Sequence, residues 1–162
     1  MKSVIKVIVM MCVCLPNHRH PVLAQTTPPK VEMKLVLANQ KVQAGRLITA
    51  ALMVDIPTGY HMNAHEPISS FALPTQIEVK LPEGYKLGTI SYPRAVVRKF
   101  TFSEDRLGVY ERHTVIKFSF RIPSTVPRGT TTLRAILNYQ SCSDEVCFPP
   151  KKQEASVGLE IT

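Results

Sequence analysis

Cys142 and Cys147 carry the sharpest chemical signal in the chain, with Ser143-Asp144-Glu145-Val146 between them. Ser-Asp-Glu is turn chemistry. If the chain reverses there, the two cysteines face each other across the mouth of a tight loop. Their Cα atoms would then lie within the ~4.4–6.8 Å that a disulfide requires. So small a ring removes little chain entropy, on the order of 2 kcal/mol before any strain. Three chemistries fit the pair: a structural hairpin disulfide, a dithiol that cycles with its disulfide, and a thiolate metal site. Strained or exposed bonds have the higher potentials that suit exchange. Pro149 and Pro150 stiffen the exit and remove two backbone donors beside Cys147, which favours an exposed edge position.

The loop itself holds no Lys, Arg or His to lower a thiol pKa, and Asp144 and Glu145 would raise it if close. An activating charge must come from elsewhere, with His61 and the cluster Arg94, Arg98 and Lys99 as candidates. His61, Met62 and His65 also raise a copper alternative, since thiolate, thioether and imidazole suit that metal. Histidines four apart serve a metal best on a helix, and this segment reads as strand and loop. No metal and no cofactor is therefore expected.

The whole chain has 162 residues, a formal charge of +8 and four cysteines. Residues 1–24 read as a cleaved secretory signal: Lys2 and Lys6, an apolar run from Val7 to Leu15, and Ala24 before the expected cut. Its removal takes away Lys2, Lys6 and Arg19, and the charge falls to +5. Cys12 and Cys14 leave with it, so a four-cysteine zinc site is excluded. A lipoprotein is disfavoured because Met11 and Val13 precede those cysteines. An exported, monomeric product is expected, and a cytosolic role is not. Arg94, Arg98 and Lys99 are followed by Glu104-Asp105, which reads as a solvated loop. With no Trp and no basic-aromatic module, nucleic-acid binding is not expected.

Residues 25–30 read as a disordered leader, and 31–162 as one domain. Period-two alternation positions the chemistry. It runs through Val31–Leu37, Ile77–Val79, Ile116–Ile122, Leu133–Tyr139 and Val157–Ile161, with a more continuous apolar run at Arg46–Val54. Pro-Thr-Gly at 57–59, Pro-Glu-Gly at 82–84 and Pro-Arg-Gly at 127–129 mark turns. No window has a helical period. An all-β antiparallel sandwich follows, with its inter-strand alternation broken longest over 91–112. Tyr139 ends one strand and leads straight into the cysteine loop. Gln140 is placed to bond that loop's backbone, and Phe148 and Pro149 to line its exit.

Tyr-Gln-x-Cys at 139–142, a short acidic loop, and Cys-x-Pro-Pro at 147–150 resemble the amino-terminal periplasmic domain of the thiol:disulfide interchange protein DsbD and its free-standing relatives. Gly59-Tyr60-His61-Met62-Asn63-Ala64, Leu81-Pro82-Glu83-Gly84, Tyr92-Pro93 and Val109-Tyr110-Glu111 follow the family's order over about residues 31–161. The resemblance implies an immunoglobulin-like sandwich that relays electrons between periplasmic thiol-disulfide proteins through Cys142 and Cys147. It also implies an aromatic cap over the cysteines. The matching region, about 91–104, offers Tyr92, Phe100 and Phe102, with His61 lining the site. In DsbD a membrane-embedded domain and a thioredoxin-like domain follow. Here the sequence ends at Thr162, so the expected donor is a separate thioredoxin-like or membrane-embedded protein, and the acceptors are periplasmic thiol-disulfide proteins. Cys147 is the expected partner-bonding cysteine. The cysteine gap is one residue shorter than in some members.

Overall fold

The computed structural model describes residues 27–162, so the expected signal segment and the first two residues of the leader lie outside it. Residues 27–30 carry no regular element, and Pro29 is already buried. Twelve strands follow: β1 Glu32–Leu37, β2 Lys41–Val42, β3 Leu47–Asp55, β4 His61–Asn63, β5 Gln76–Lys80, β6 Lys86–Ser91, β7 Val96–Lys99, β8 Arg106–Tyr110, β9 His113–Arg121, β10 Gly129–Tyr139, β11 Ser141–Cys142 and β12 Lys151–Ile161. No helix occurs among the described residues, and so none there is long and apolar enough to cross a membrane.

Two four-stranded sheets form an immunoglobulin-like sandwich, in the orders β1-β3-β9-β6 and β2-β12-β10-β5. Pairing is antiparallel except where β2 lies parallel to the end of β12. The reason is visible in the side chains. Ile48, Ala50, Leu52 and Val54 of β3 and Ile116, Phe118 and Phe120 of β9 point inward from one sheet. Leu133, Ala135, Leu137 and Tyr139 of β10 and Leu159 and Ile161 of β12 point inward from the other. They close one continuous core. Full burial of each large apolar chain contributes about 1.5–3 kcal/mol. The run at 46–54 that looked continuous is in fact alternating, with small Ala50 inside and Ala51 partly exposed.

A third, smaller sheet, β11-β4-β8-β7, carries the candidate site. The stretch 91–112, where the alternation is broken longest, supplies two of its strands, β7 and β8, joined by a turn at 100–105. These strands are too short, or too evenly buried, for alternation to reveal them: β7 is exposed at all four positions and β8 is buried at its last four.

Two of the three turn signals act as expected, whereas near the third the turn falls at 124–125 and Gly129 already opens β10. Tyr60 N–H donates to the Pro57 carbonyl and Tyr85 N–H to the Pro82 carbonyl, each at 3.2 Å. Gly84 sits third in its turn at φ 78°, where a Cβ is disfavoured and would also stand 3.3 Å from Pro123 Cγ. Gly158 of β12 has open space around the Cβ position. Gly84→Ala is expected to destabilise by about 1–2 kcal/mol in urea unfolding. Gly158→Ala should be neutral or slightly stabilising, because alanine loses less backbone entropy than glycine in a strand. Equal effects would contradict this reading of the turn.

Candidate functional site

Strand β10 leaves the large sheet at Tyr139, and one residue later the chain enters the small sheet as β11. Cys142 lies on β11, directly opposite His61 of β4. The chain then reverses. Ser143 N–H donates to the Val146 carbonyl at 2.8 Å, while Ser143 Oγ accepts from the N–H groups of Glu145 at 3.2 Å and Val146 at 3.1 Å. This serine-centred turn brings Cys147 back against Cys142 as an isolated antiparallel bridge. The two are joined by a disulfide. Their Cα atoms are 3.9 Å apart, closer than the range expected from the sequence. The cysteines occupy a non-hydrogen-bonded antiparallel pair, the position that brings Cα atoms closest in a regular ladder, to about 4.5 Å.

The two sulfurs are not equivalent. Cys142 is 0% exposed, whereas Cys147 is half-buried. Cys147 opens onto a groove of about 470 Å³ shared with Asn63, Phe71, Phe102, Leu107 and Gln140. Glu104 and Asp105 also line the groove, and among the described residues no Lys, Arg or His does.

Gln140 ties the loop to the sheet. Its Nε2 donates to the Phe148 carbonyl at 3.0 Å, and its Oε1 accepts from Asn63 Nδ2 at 3.3 Å. Asn63 is buried in β4, where its carbonyl accepts from Thr75 Oγ1 at 2.5 Å. Phe148 is buried with its ring 6.1 Å from Tyr60, and its N–H donates to the Ser141 carbonyl at 2.9 Å. Pro149 is exposed at the exit. Tyr139 belongs to the main core, and its hydroxyl donates to Gln153 Oε1 at 3.1 Å.

A second cleft, of about 460 Å³, is lined by Tyr60, His61, Arg98, Phe100, Glu111 and Asp144. Phe100 stacks on the His61 ring at 4.0 Å, and Phe102 stacks on Phe100 at 5.3 Å. Phe100 is buried and Phe102 is 38% exposed. Thr101, between them, donates to the Asp144 carbonyl at 2.9 Å. The 100–102 segment is thereby fastened to the cysteine loop.

Tyr92 does not join this group. Its hydroxyl accepts from Ile77 N–H at 3.0 Å and its ring stacks on His65 at 3.6 Å, lining a separate cleft with Arg94. The expectation that Tyr92 caps the cysteines is corrected by this packing. The copper set is also divided. Strand alternation sends Met62 into the main core, while His61 stacks on Phe100 and His65 on Tyr92. No cluster of three or more His, Cys, Asp or Glu able to hold a metal occurs among the described residues.

Phe71 was not anticipated. It is 92% exposed, on the loop between β4 and β5, in the same groove as Cys147. It lies in Ile68-Ser-Ser-Phe71-Ala-Leu73, which has no alternation to mark it. Of the expected activating charges, Arg98 is committed to a two-bond pair with Glu111, both contacts at 3.0 Å. That pair holds the Glu111 carboxyl below the usual range. Lys99 turns its ammonium to the Glu104 carbonyl.

The family model for the N-terminal domain of the thiol:disulfide interchange protein DsbD matches residues 31–159. The chain belongs to this family. Among solved structures, the reduced DsbD N-terminal domain of Neisseria meningitidis is 18% identical, with 80% of this chain and 90% of that one covered at a TM-score of 0.46. The N-terminal periplasmic domain of ScsB from Proteus mirabilis is 13% identical, with 92% and 49% covered at a TM-score of 0.50. This chain thus spans about half the length of that ScsB chain, and the likeness extends to the fold alone. No curated protein matches. Family membership together with the Cys142–Cys147 disulfide assigns thiol-disulfide exchange in general. The DsbD family's domains are periplasmic and work with thioredoxin-like redox proteins, in agreement with the periplasmic location expected from the sequence.

Burial lowers the His61 pKa from 6.5, opposed in part by Asp144 and Glu111. The unfolded chain then binds more protons than the folded one as pH falls through about 6.5. Stability is present above that value and is lost below it. Denaturant titrations of the oxidised protein between pH 7 and pH 5 are expected to show this fall. His61→Phe should flatten it. An unchanged slope in the variant would contradict the assignment.

Proposed function

We propose that this protein relays reducing equivalents in the periplasm through Cys142 and Cys147. The donor is a thioredoxin-like or membrane-embedded dithiol protein, and the acceptors are periplasmic thiol-disulfide proteins. The observation that carries this reading is the asymmetry of the two sulfurs. A sulfur with no exposed surface cannot meet a partner's sulfur, and Cys147 opens onto a groove where one fits.

The cycle balances in two halves. A donor thiolate attacks Cys147 Sγ, the Cys142–Cys147 bond breaks, and Cys142 leaves with the electron pair. The donor's second thiolate then attacks its own sulfur in the mixed disulfide and releases Cys147. The donor is oxidised, and this domain is reduced after two protons are taken up. In the second half Cys147 attacks an acceptor disulfide, and Cys142 resolves the mixed bond.

A reduced dithiol in an oxidising compartment needs cover. The 100–102 segment supports that role: Phe100 packs over His61 and Phe102 flanks Cys147, both on a turn outside the main core. A short turn held to the cysteine loop by the Thr101 hydroxyl can lift when a protein docks.

Cys142→Ala is expected to trap a mixed disulfide through Cys147 when mixed with an oxidised thioredoxin-like partner, read on non-reducing gels. Trapping by Cys147→Ala alone would reverse the two roles, and trapping by neither would contradict the relay. Phe102→Ala should speed oxidation of the reduced protein by hydrogen peroxide several-fold, while Tyr92→Ala leaves it unchanged. Equal rates for Phe102→Ala and the unaltered protein would place the cover elsewhere.

A further inference from the structure

Cys142 presents a problem of charge. When the disulfide opens by attack at Cys147, the electron pair goes to a sulfur with no exposed surface. A thiolate there has no water to solvate it, and burial disfavours the charged form. The carboxylates on this side add no relief: Asp144 is in the adjoining turn, and Glu111 lines the cleft beside His61.

His61 stands where a proton is needed. It pairs with Cys142 across β4 and β11. Directly paired residues project from the same face of a sheet, with Cβ atoms about 4.5–5.5 Å apart. His61 is 2% exposed, and its Nε2 is buried with no hydrogen-bond partner among the described residues. A buried ring nitrogen without a partner is costly, and such groups call for an explanation. Phe100 covers one face of the ring, so the ring is held rather than free to turn outward.

We propose that His61 is the proton-transfer partner of Cys142, its Nε2 receiving the Cys142 thiol proton during oxidation and returning a proton to the Cys142 sulfur during reduction. The inference rests on the relay reading for its biological setting, though not for its chemistry. On this reading the Cys142 thiol of the reduced state is the donor that Nε2 lacks in the oxidised protein. In the resolving step Cys142 gives its proton to Nε2 and attacks Cys147 Sγ. The Cys142–Cys147 bond forms, and the partner thiolate leaves with the electron pair of the mixed disulfide. The imidazolium then loses its proton through the cleft to solvent. During reduction by a dithiol the steps reverse.

The charged groups facing His61 fit this cycle. Arg98 of β7 is neutralised by Glu111, Lys99 is turned away to the Glu104 carbonyl, and Arg112 lies beyond Glu111 on the cleft wall. Asp144 and Glu111 favour a transient imidazolium, while burial keeps the resting ring neutral and able to accept.

The test is the pH profile of reduction of the full-length oxidised protein by dithiothreitol, corrected for the reagent's own ionisation. The unaltered protein should slow as pH rises through the His61 titration. His61→Gln should be at least about tenfold slower and lose that dependence. The same profile in both proteins overturns the inference. A readout that needs no variant is the His61 ring titration by NMR in the two redox states. A midpoint that shifts when the disulfide opens supports the coupling, and the same midpoint in both states overturns it. Exchange with a thioredoxin-like dithiol, run in parallel, separates the two readings. If dithiothreitol shows the histidine dependence and no thioredoxin-like protein exchanges, the inference stands and the relay falls.

Discussion

Everything at the site depends on how one strand is handed from one sheet to another. Strand β10 is anchored by Leu133, Ala135, Leu137 and Tyr139, all facing the main core. Its next residue, Gln140, spends both ends of its amide on the junction, one on Asn63 of β4 and one on the Phe148 carbonyl. Ser141 and Cys142 then pair with β4 rather than with β10's former neighbours. The rigid sandwich thus fixes where the first cysteine stands. The Ser143-centred turn fixes where the second returns. A loop only hydrogen-bonded to itself would leave the sulfurs' positions to chance. This one inherits its position from an 11-residue strand paired on both sides.

From that junction follows a division of labour between two sides of a single disulfide. The Cys147 side is an open groove with aromatic edges, Phe71 and Phe102, and an acidic lining at Glu104 and Asp105. The Cys142 side is closed over by Phe100 and holds the buried imidazole. Exposed aromatic surface beside the half-buried Cys147 suits docking of an exchange partner, and a closed side suits proton control. The same short segment, 100–102, contributes to both sides, one aromatic to each. On the proposed reading the cover and the histidine environment then belong to one element, and movement of the turn would alter access to Cys147 and the packing of His61 together.

Much of the sandwich was legible because its long strands have one wet face and one dry face. Leu133–Tyr139 and Ile116–Ile122 display this with few exceptions, and the proline-glycine turns lie between such runs. The small sheet was not legible. β4 and β11 have three and two residues, too few for a period to show. Among the site residues, the cysteine pair and its turn followed from residue types and spacing. Phe100 and Phe102 came from family resemblance, as did Tyr92, which lies in the same stretch but folds toward His65. Aromatic residues report that something is covered, not what. Phe71 had no signal, since an exposed aromatic on a serine-rich loop looks like any other loop residue until the groove beside it is seen. His61 was noticed as a possible charge source. Its pairing with Cys142 needed the register.

The central claim is that Cys142 and Cys147 exchange electrons rather than staple a hairpin. The equilibrium reduction potential of the pair, measured in dithiothreitol or glutathione buffers by thiol alkylation, tests it most directly. The account expects a value above about −300 mV, in the span of thioredoxin-like exchange proteins, roughly −270 to −120 mV. A potential well below about −300 mV would mark a structural disulfide and contradict the account.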